Sequence, residues 1–299
     1  MDGTQIAERG TGTGAPAQPP GPATQLPAML ARLWADEAAL GLSRRWPELS
    51  ARNRSFPHLA TLLAALSVAA ILAAPFQGLS VTGLIAMAAS PACLALVGLR
   101  LAGVLNRPCH AARRELPDAA LPVTSIIVAL YREAGVVGHL VQALRAIDYP
   151  DGRLEIRLVL EADDEETLEA LEDAALDERF RIVIAPPGHP RTKPRALNFA
   201  LRFCTGDIVA VHDAEDRPHP RQLRRAVESF SLAPPSLACL QAPLNWYNRN
   251  ETWLTRQFSM EYAAHFHVML PLYQRLGWPL PLGGTSNYFR GLMYQAHQE

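Results

Sequence analysis

Apolar positions follow two textures along this chain. Between residues 55 and 99 there is no Asp, Glu, Lys or Arg. A helix needs about 20 apolar residues to span a bilayer. The run divides at APFQG into candidates near 58–75 and 79–104, which predicts a two-helix transmembrane hairpin over 55–106. Arg44, Arg45, Arg52 and Arg54 precede it, and Arg107, Arg113 and Arg114 follow, while the link between the runs is uncharged. The positive-inside tendency then puts both flanks in the cytoplasm. A helical hairpin buried in a soluble protein is the alternative, but two adjacent runs of this length favour the membrane. The lipid bilayer is thus an expected partner, and the expected location is the cytoplasmic (inner) membrane, multi-pass, with the downstream domain facing the cytoplasm.

From residue 121 short apolar runs alternate with amphipathic ones. VTSIIVAL, IRLVLEA, RIVIA and DIVAVHD predict strands. GVVGHLVQALRAI, ETLEALEDAAL, ALNFALRFC and RQLRRAVESFSL, which follow them in turn, predict helices. Strands alternating with helices imply right-handed crossovers and a mainly parallel sheet. SLACLQAPL predicts a further strand, and the stretch from ETWLTRQF to LYQRL one long helix bent at Pro271. The expected fold class is α/β, a Rossmann-like, mainly parallel domain over 118–299. Residues 28–54 form an amphipathic helical segment with Leu30, Leu33, Trp34, Ala38 and Leu42 towards one side, either an interfacial helix or a satellite packed on its own protein. Residues 1–27, rich in Gly, Pro, Thr and Ala, predict a disordered tail. No basic region precedes an apolar run there, so the tail does not read as a signal peptide.

Charge narrows the partners. The formal net charge is −1, from 28 cationic and 29 anionic residues, which gives no global attraction to nucleic acid. The four cysteines form no CxxC pair, which predicts reduced thiols, with Cys204 and Cys239 small buried residues. Lys193 is the only lysine among many arginines. Arg221, Arg224 and Arg225 read as a solvated helix face. His265 and His267, two apart on a helix, do not match a metal pair. Trp246, Trp253 and Trp278 read first as core or interface anchors.

In open α/β sheets ligands sit beyond the carboxyl ends of the strands, near a switch in strand order. Tyr131 and Glu133 follow the first predicted strand, Glu161, Asp163 and Asp164 the second, and Asp213, Glu215 and Asp216 the fourth. Three strand ends thus deliver acids to one rim. Asp164 also fits an ordinary helix cap before EETLEAL. An acidic rim repels an anionic ligand unless a divalent cation intervenes. Mg²⁺ takes one or two carboxylates and completes its shell with phosphate oxygens and water. Asp213 and Glu215 can share such an ion, with Asp216 a second ligand or a helix-leading acid. Lys193, just before a helix, suits a phosphate, or is an ordinary solvated charge.

Taken in order, VALYREAG, LEADD, TKPRALNFAL, HDAED and the block from QAPLNWYNRN to PLGGTSNYFR, behind the paired apolar runs, resemble the family 2 glycosyltransferases. The similarity is to their membrane-embedded, cellulose-synthase-like branch, over roughly residues 55–291. The resemblance implies a GT-A fold, a nucleotide-diphospho-sugar donor such as a UDP-hexose, Mg²⁺ or Mn²⁺, and a glycan acceptor in polysaccharide synthesis. Tyr131 and Glu133 match the segment that holds the base, and Asp163 and Asp164 the aspartate on the uracil or ribose side. Lys193 and Asn198 match the diphosphate segment, Asp213 and Glu215 the two metal-side acids, and Gly284, Thr285, Ser286 and Asn287 the loop beside the acceptor pocket. The reaction implied is inverting transfer. The family's catalytic base lies in a TED motif downstream of GGTSNxFR; here RGLMYQAHQE follows and no TED, which reads as a C-terminal truncation without the base. The competing expectation is an inactive membrane subunit or fragment that partners with a complete synthase. Nucleotidyl transfer and a receiver-like acidic pocket fit the apolar runs and the 237–291 block less well.

Overall fold

The computed structural model describes residues 27–50, 80–106 and 114–291, together with positions 61, 65 and 68. The expected tail, the first of the two apolar runs apart from those three positions, and the TED-less C-terminal stretch beyond 291 lie outside the described residues.

Six strands form one sheet in the order β3-β2-β1-β4-β6-β5. They are β1 (Thr124–Leu130), β2 (Leu154–Glu161), β3 (Phe180–Ala185), β4 (Ile208–His212), β5 (Cys239–Gln241) and β6 (Asn287–Arg290). β1, β2, β3 and β4 pair in parallel, while β6 runs antiparallel to both β4 and β5. β1 is buried almost throughout and is apolar from Ile126 to Leu130, because helices cover both faces of the sheet. Side chains alternate between those faces. Ile126, Val128 and Leu130 join Leu140, Leu144, Leu158, Val227 and Phe230 in the larger core, under α3 (Val137–Arg145), α4 (Glu165–Asp173) and α6 (Gln222–Leu232). Ile127, Val159 and Val209 face the other way, onto Phe199 and Ala200 of α5 (Lys193–Leu201).

α1 (Ala28–Arg45) packs on α5 as a satellite helix. Ala35 is buried beside the α5 cluster, Trp34 meets Phe203 edge-on at 5.9 Å, and Arg202 lies 5.0 Å over the Trp34 ring. The buried side therefore centres on Trp34, Ala35 and Ala38. Leu30, Leu33 and Leu42 point outward, because α5 offers small alanines that accept small partners rather than a leucine stripe.

α2 (Val81–Leu105) is, among the described residues, the one helix long and apolar enough to cross a membrane. Leu94, Leu96, Leu101 and Leu105 are 59–82% exposed. A two-helix hairpin is thus not what the described residues contain: one such helix is present, and the other half of the expected pair is not described. The end of α2 docks onto the protein body. Gly103 is buried where a Cβ would come within 2.7 Å of the Val268 side chain, and Arg275 donates to Asn106 Oδ1 at 2.7 Å.

The long C-terminal helix is present as α7 (Trp253–Ala264), a π-helical turn (His265–Met269) and α8 (Leu270–Arg275). Pro271 has no N–H for the preceding turn and its ring crowds the carbonyl one turn back. The backbone answers by widening into the π turn just before it. The strand expected in SLACLQAPL is present but short, and two further readings, of NYFR and of Arg224, need correction. SLACLQAPL yields a strand of only three residues, Cys239–Gln241, and NYFR at 287–290, read only as loop and motif, is β6. Arg224 is no solvated face: its side chain is 12% exposed and pairs with Asp118 at 2.8 Å and Asp148 at 3.5 Å.

Candidate active site at the strand-order switch

After β3 the chain crosses the sheet, and β4 enters on the far side of β1, so strand order switches between β1 and β4. The register Val128↔His212 brings the loops after both strands to the same edge.

Lys193, the first residue of α5, lies on that edge. Its ammonium pairs with the Asp213 carboxylate and donates to Gly284 O at 3.2 Å. One side chain thereby joins the start of α5, the end of β4 and the loop before β6. Burial lowers the lysine's pKa, and the neighbouring acids Asp216, Glu215 and Glu133 oppose that shift. Asp216 Oδ2 accepts from the Asp213 backbone N–H at 2.9 Å and from Thr285 Oγ1, with the buried His212 Nδ1 at 3.3 Å. Thr285 Oγ1 also accepts from Asp213 N at 3.1 Å. Asp216 is no helix-leading acid; through Oδ2 it clasps the HDAED turn to the 283–287 loop. α6 begins only at Gln222. The loop is pinned further by Gln222 Nε2 to Ser286 Oγ at 3.3 Å, Asn287 Nδ2 to Gly283 O at 2.6 Å, and Ala242 N to Ser286 O at 2.9 Å. Ser286 takes a left-handed φ of 55° to make that turn.

The loop after β1 is equally anchored. Asp164 caps α4 through Thr167 N at 3.3 Å and accepts from Arg132 N with its other oxygen, while Glu133 N donates to Thr167 Oγ1 at 3.0 Å. Arg132 sits at φ 58° between them. Asp164 therefore has its capping role and orients Tyr131 and Glu133 besides. Tyr131 and Asp163 meet through Arg191, which donates to the phenol at 3.0 Å and to Asp163 Oδ2 at 2.8 Å. Glu133 Oε2 is buried without a hydrogen-bond partner, and burial, more than the nearby Glu215, pushes its pKa up.

Two residues fall outside this group. Asn198 donates through Nδ2 to Ala38 O at 3.0 Å, which ties α1 to α5. Glu161 is buried in an ion pair with Arg195, Nη1 lying 3.0 and 3.1 Å from its two oxygens, so this acid does not reach the rim. The sequence reading missed Arg191 and Arg195. In HPRTKPRAL only the alternation of cations just before a helix hinted at them. Asp213 and residues 283–285 also wall a cavity of about 520 Å³ whose far side is α7 and the π turn.

The edge offers hard oxygen donors at Asp213, Glu215 and the partnerless Glu133 Oε2. Among the described residues no three His, Cys, Asp or Glu side chains converge as a metal-binding group. A divalent ion held by one or two carboxylates and completed by phosphate oxygens is compatible with that donor set.

A mainly parallel sheet with an antiparallel partner strand and polar groups gathered at its order switch is GT-A-like. The chain belongs to the family described as glycosyltransferase like family 2, whose profile matches residues 122–297. By family it is an enzyme, a glycosyltransferase. It is 32% identical over 143 residues to a beta-monoglucosyldiacylglycerol synthase of Synechocystis sp., a match covering 48% of this chain and 29% of that protein. It is 26% identical over 166 residues to glucomannan 4-beta-mannosyltransferase 2 of Arabidopsis thaliana, covering 52% and 30%. The chain thus spans under a third of the length of the curated relatives it matches. Among solved structures, a mannosyltransferase from Pyrobaculum calidifontis, in complex with GDP-Man and Mn²⁺, aligns with a TM-score of 0.47 and 23% identity, covering 68% of this chain and 60% of that one.

Proposed function

We propose that this chain binds a UDP-hexose at the β1/β4 edge and serves inverting transfer of the sugar to a glycan acceptor at the inner membrane, in polysaccharide synthesis. The observation that carries the reading is the meeting of Lys193, Asp213 and the Gly284 carbonyl at the switch in strand order. Tyr131, Glu133, Asp163 and Asp164 take the nucleoside side. Lys193 and Asn198 take the diphosphate side, Asn198 turning from Ala38 O to do so. Asp213 and Glu215 take a Mg²⁺ or Mn²⁺ ion, and Gly284, Thr285, Ser286 and Asn287 border the acceptor. A divalent ion there would offset charge on the departing diphosphate. The protein's own contribution is positional. The Asp216–Thr285–His212 clasp fixes Asp213, and Lys193 offers an ammonium to phosphate oxygens once it leaves Asp213. In the step itself an acceptor hydroxyl oxygen bonds to the anomeric carbon, the bond to the diphosphate breaks with its electron pair leaving on the nucleotide, and the hydroxyl proton passes to solvent water.

The exposed length of α2, docked by Gly103 and Asn106, supports a membrane anchor beside the domain, with the catalytic face in the cytoplasm and room for synthase partners. Titration of the purified full chain with UDP-hexose, with and without Mn²⁺, tests the donor reading. Binding that requires the ion agrees with it, and no binding in either condition refutes it. Binding without any sugar transfer is the outcome expected of a non-catalytic synthase subunit.

A further inference from the structure

The 520 Å³ cavity beside Asp213 has a second wall with no role so far. Its volume lies within the roughly 300–1,000 Å³ usual for small-ligand sites. Opposite Asp213 and the 283–285 loop stand Glu261, Tyr262, His265 and Phe266. Glu261 and His265 are four residues apart, so they project from the same face of the helix, one turn apart. His265 opens the π turn, whose wider backbone is fixed by Pro271 and by the docking of α2 against Val268. Among the described residues the Glu261 carboxylate has neither an ion pair nor a hydrogen bond, and it is exposed to the cavity. Tyr262 and Phe266 stand 5.9 Å apart, Trp246 lies 5.5 Å behind Tyr262, and the His265 ring meets Phe266 edge-on at 5.2 Å.

The chemistry of this lining is selective. Among the described residues no arginine or lysine lines the cavity, and it carries carboxylates on two sides, so it disfavours a phosphate. A neutral polyol fits. A carboxylate can accept from two neighbouring hydroxyls, an imidazole can donate to or accept from a third, and the C–H face of a sugar can lie on aromatic rings. An ordinary solvated helix glutamate would also be exposed and unpaired. It would not be expected to share a cavity wall with an imidazole and two aromatic rings, facing the proposed metal-side acid.

We propose that Glu261 and His265 bind the hydroxyls of a hexosyl ring and set which sugar the site accepts. This rests on the glycosyltransferase reading above and deepens it. The ring can be that of the donor or the terminal ring of the acceptor, and the test separates the two.

The experiment is calorimetry on the full chain in Mn²⁺ buffer, comparing wild type with Glu261→Gln and His265→Ala. One arm titrates UDP and then UDP-glucose; the other titrates methyl β-cellobioside with UDP present. UDP affinity within about twofold of wild type shows that each variant is folded at the nucleotide edge. The expected result is a drop of about tenfold or more in one arm, the order of a lost charge-assisted hydrogen bond. Loss of the gain of UDP-glucose over UDP assigns the donor ring, and loss of disaccharide binding assigns the acceptor ring. Unchanged affinities in both arms for both variants overturn the proposal, as does a wild type that gains nothing from either sugar. A wild type that fails to bind UDP itself instead overturns the donor-site reading beneath it.

Discussion

Replacing Arg195 with methionine isolates the ion pair that ties the first turn of α5 to the end of β2. Arg195 is 2% exposed and Glu161 5%, and the guanidinium also donates to Pro186 O. Methionine occupies much of the arginine's volume. It leaves the Glu161 carboxylate buried with neither of its two bonds, and the Pro186 carbonyl without its donor. Breaking one half of a buried pair costs about 3–5 kcal/mol, most of it the stranded charge. Against a typical domain stability of about 5–15 kcal/mol that is a large fraction. At about 2–4 °C per kcal/mol for a domain of this size, the melting temperature should fall by about 6–20 °C. The double variant Glu161→Met with Arg195→Met removes the stranded charge and should recover most of the loss. Urea and thermal denaturation of the full chain in detergent, followed by circular dichroism, measure all three proteins. A single variant within about 1 kcal/mol of wild type, or a double variant no better than the single, would refute the reasoning.

Other outcomes follow from the same edge. Burial raises the Glu133 pKa above 4.5, so its ionised form is the costly one in the fold. Glu133→Gln should therefore raise the melting temperature at pH 7, and the gain should disappear as the pH falls below about 4.5, where wild type carries the proton itself. A gain that persists at pH 4 would contradict this. Lys193→Met should weaken UDP binding by about 10- to 100-fold, and the deficit should shrink at 0.5 M salt; equal affinity in calorimetry would count against a phosphate role. Thr285→Val removes the bonds to Asp216 and Asp213 N and should cost about 1–3 kcal/mol in urea denaturation, with Thr285→Ser near wild type.

Much of the architecture was legible from period alone. Continuous apolar runs such as IIVAL are buried on both faces, and only a parallel sheet between helices satisfies that. Acids at three strand ends were placed on one edge and the Asp164 cap was legible, yet the partners of the others were not. Asp213 meets Lys193, Asp164 caps a helix, Asp216 clasps a loop and Glu161 disappears under Arg195. Local sequence says where a side chain leaves the backbone, not which distant cation it meets. The same limit hid β6. NYFR is a strand because β4 and β5 supply its ladder, and four residues carry too little alternation to announce it. It also misplaced the buried side of α1, since small partners on α5 selected Ala35 over the leucines. The Glu261–His265 wall was overlooked because His265 was weighed against His267, two residues away, and not against the acid one turn back.

The most direct measurement is UDP affinity with and without Mn²⁺ in wild type and in the Asp213→Asn, Glu215→Gln double variant. A metal-dependent gain of tenfold or more in wild type that vanishes in the variant, with melting temperature unchanged, is the predicted result. Equal gains in both proteins, or no gain in wild type, would contradict a nucleotide-sugar site built on the turn after β4.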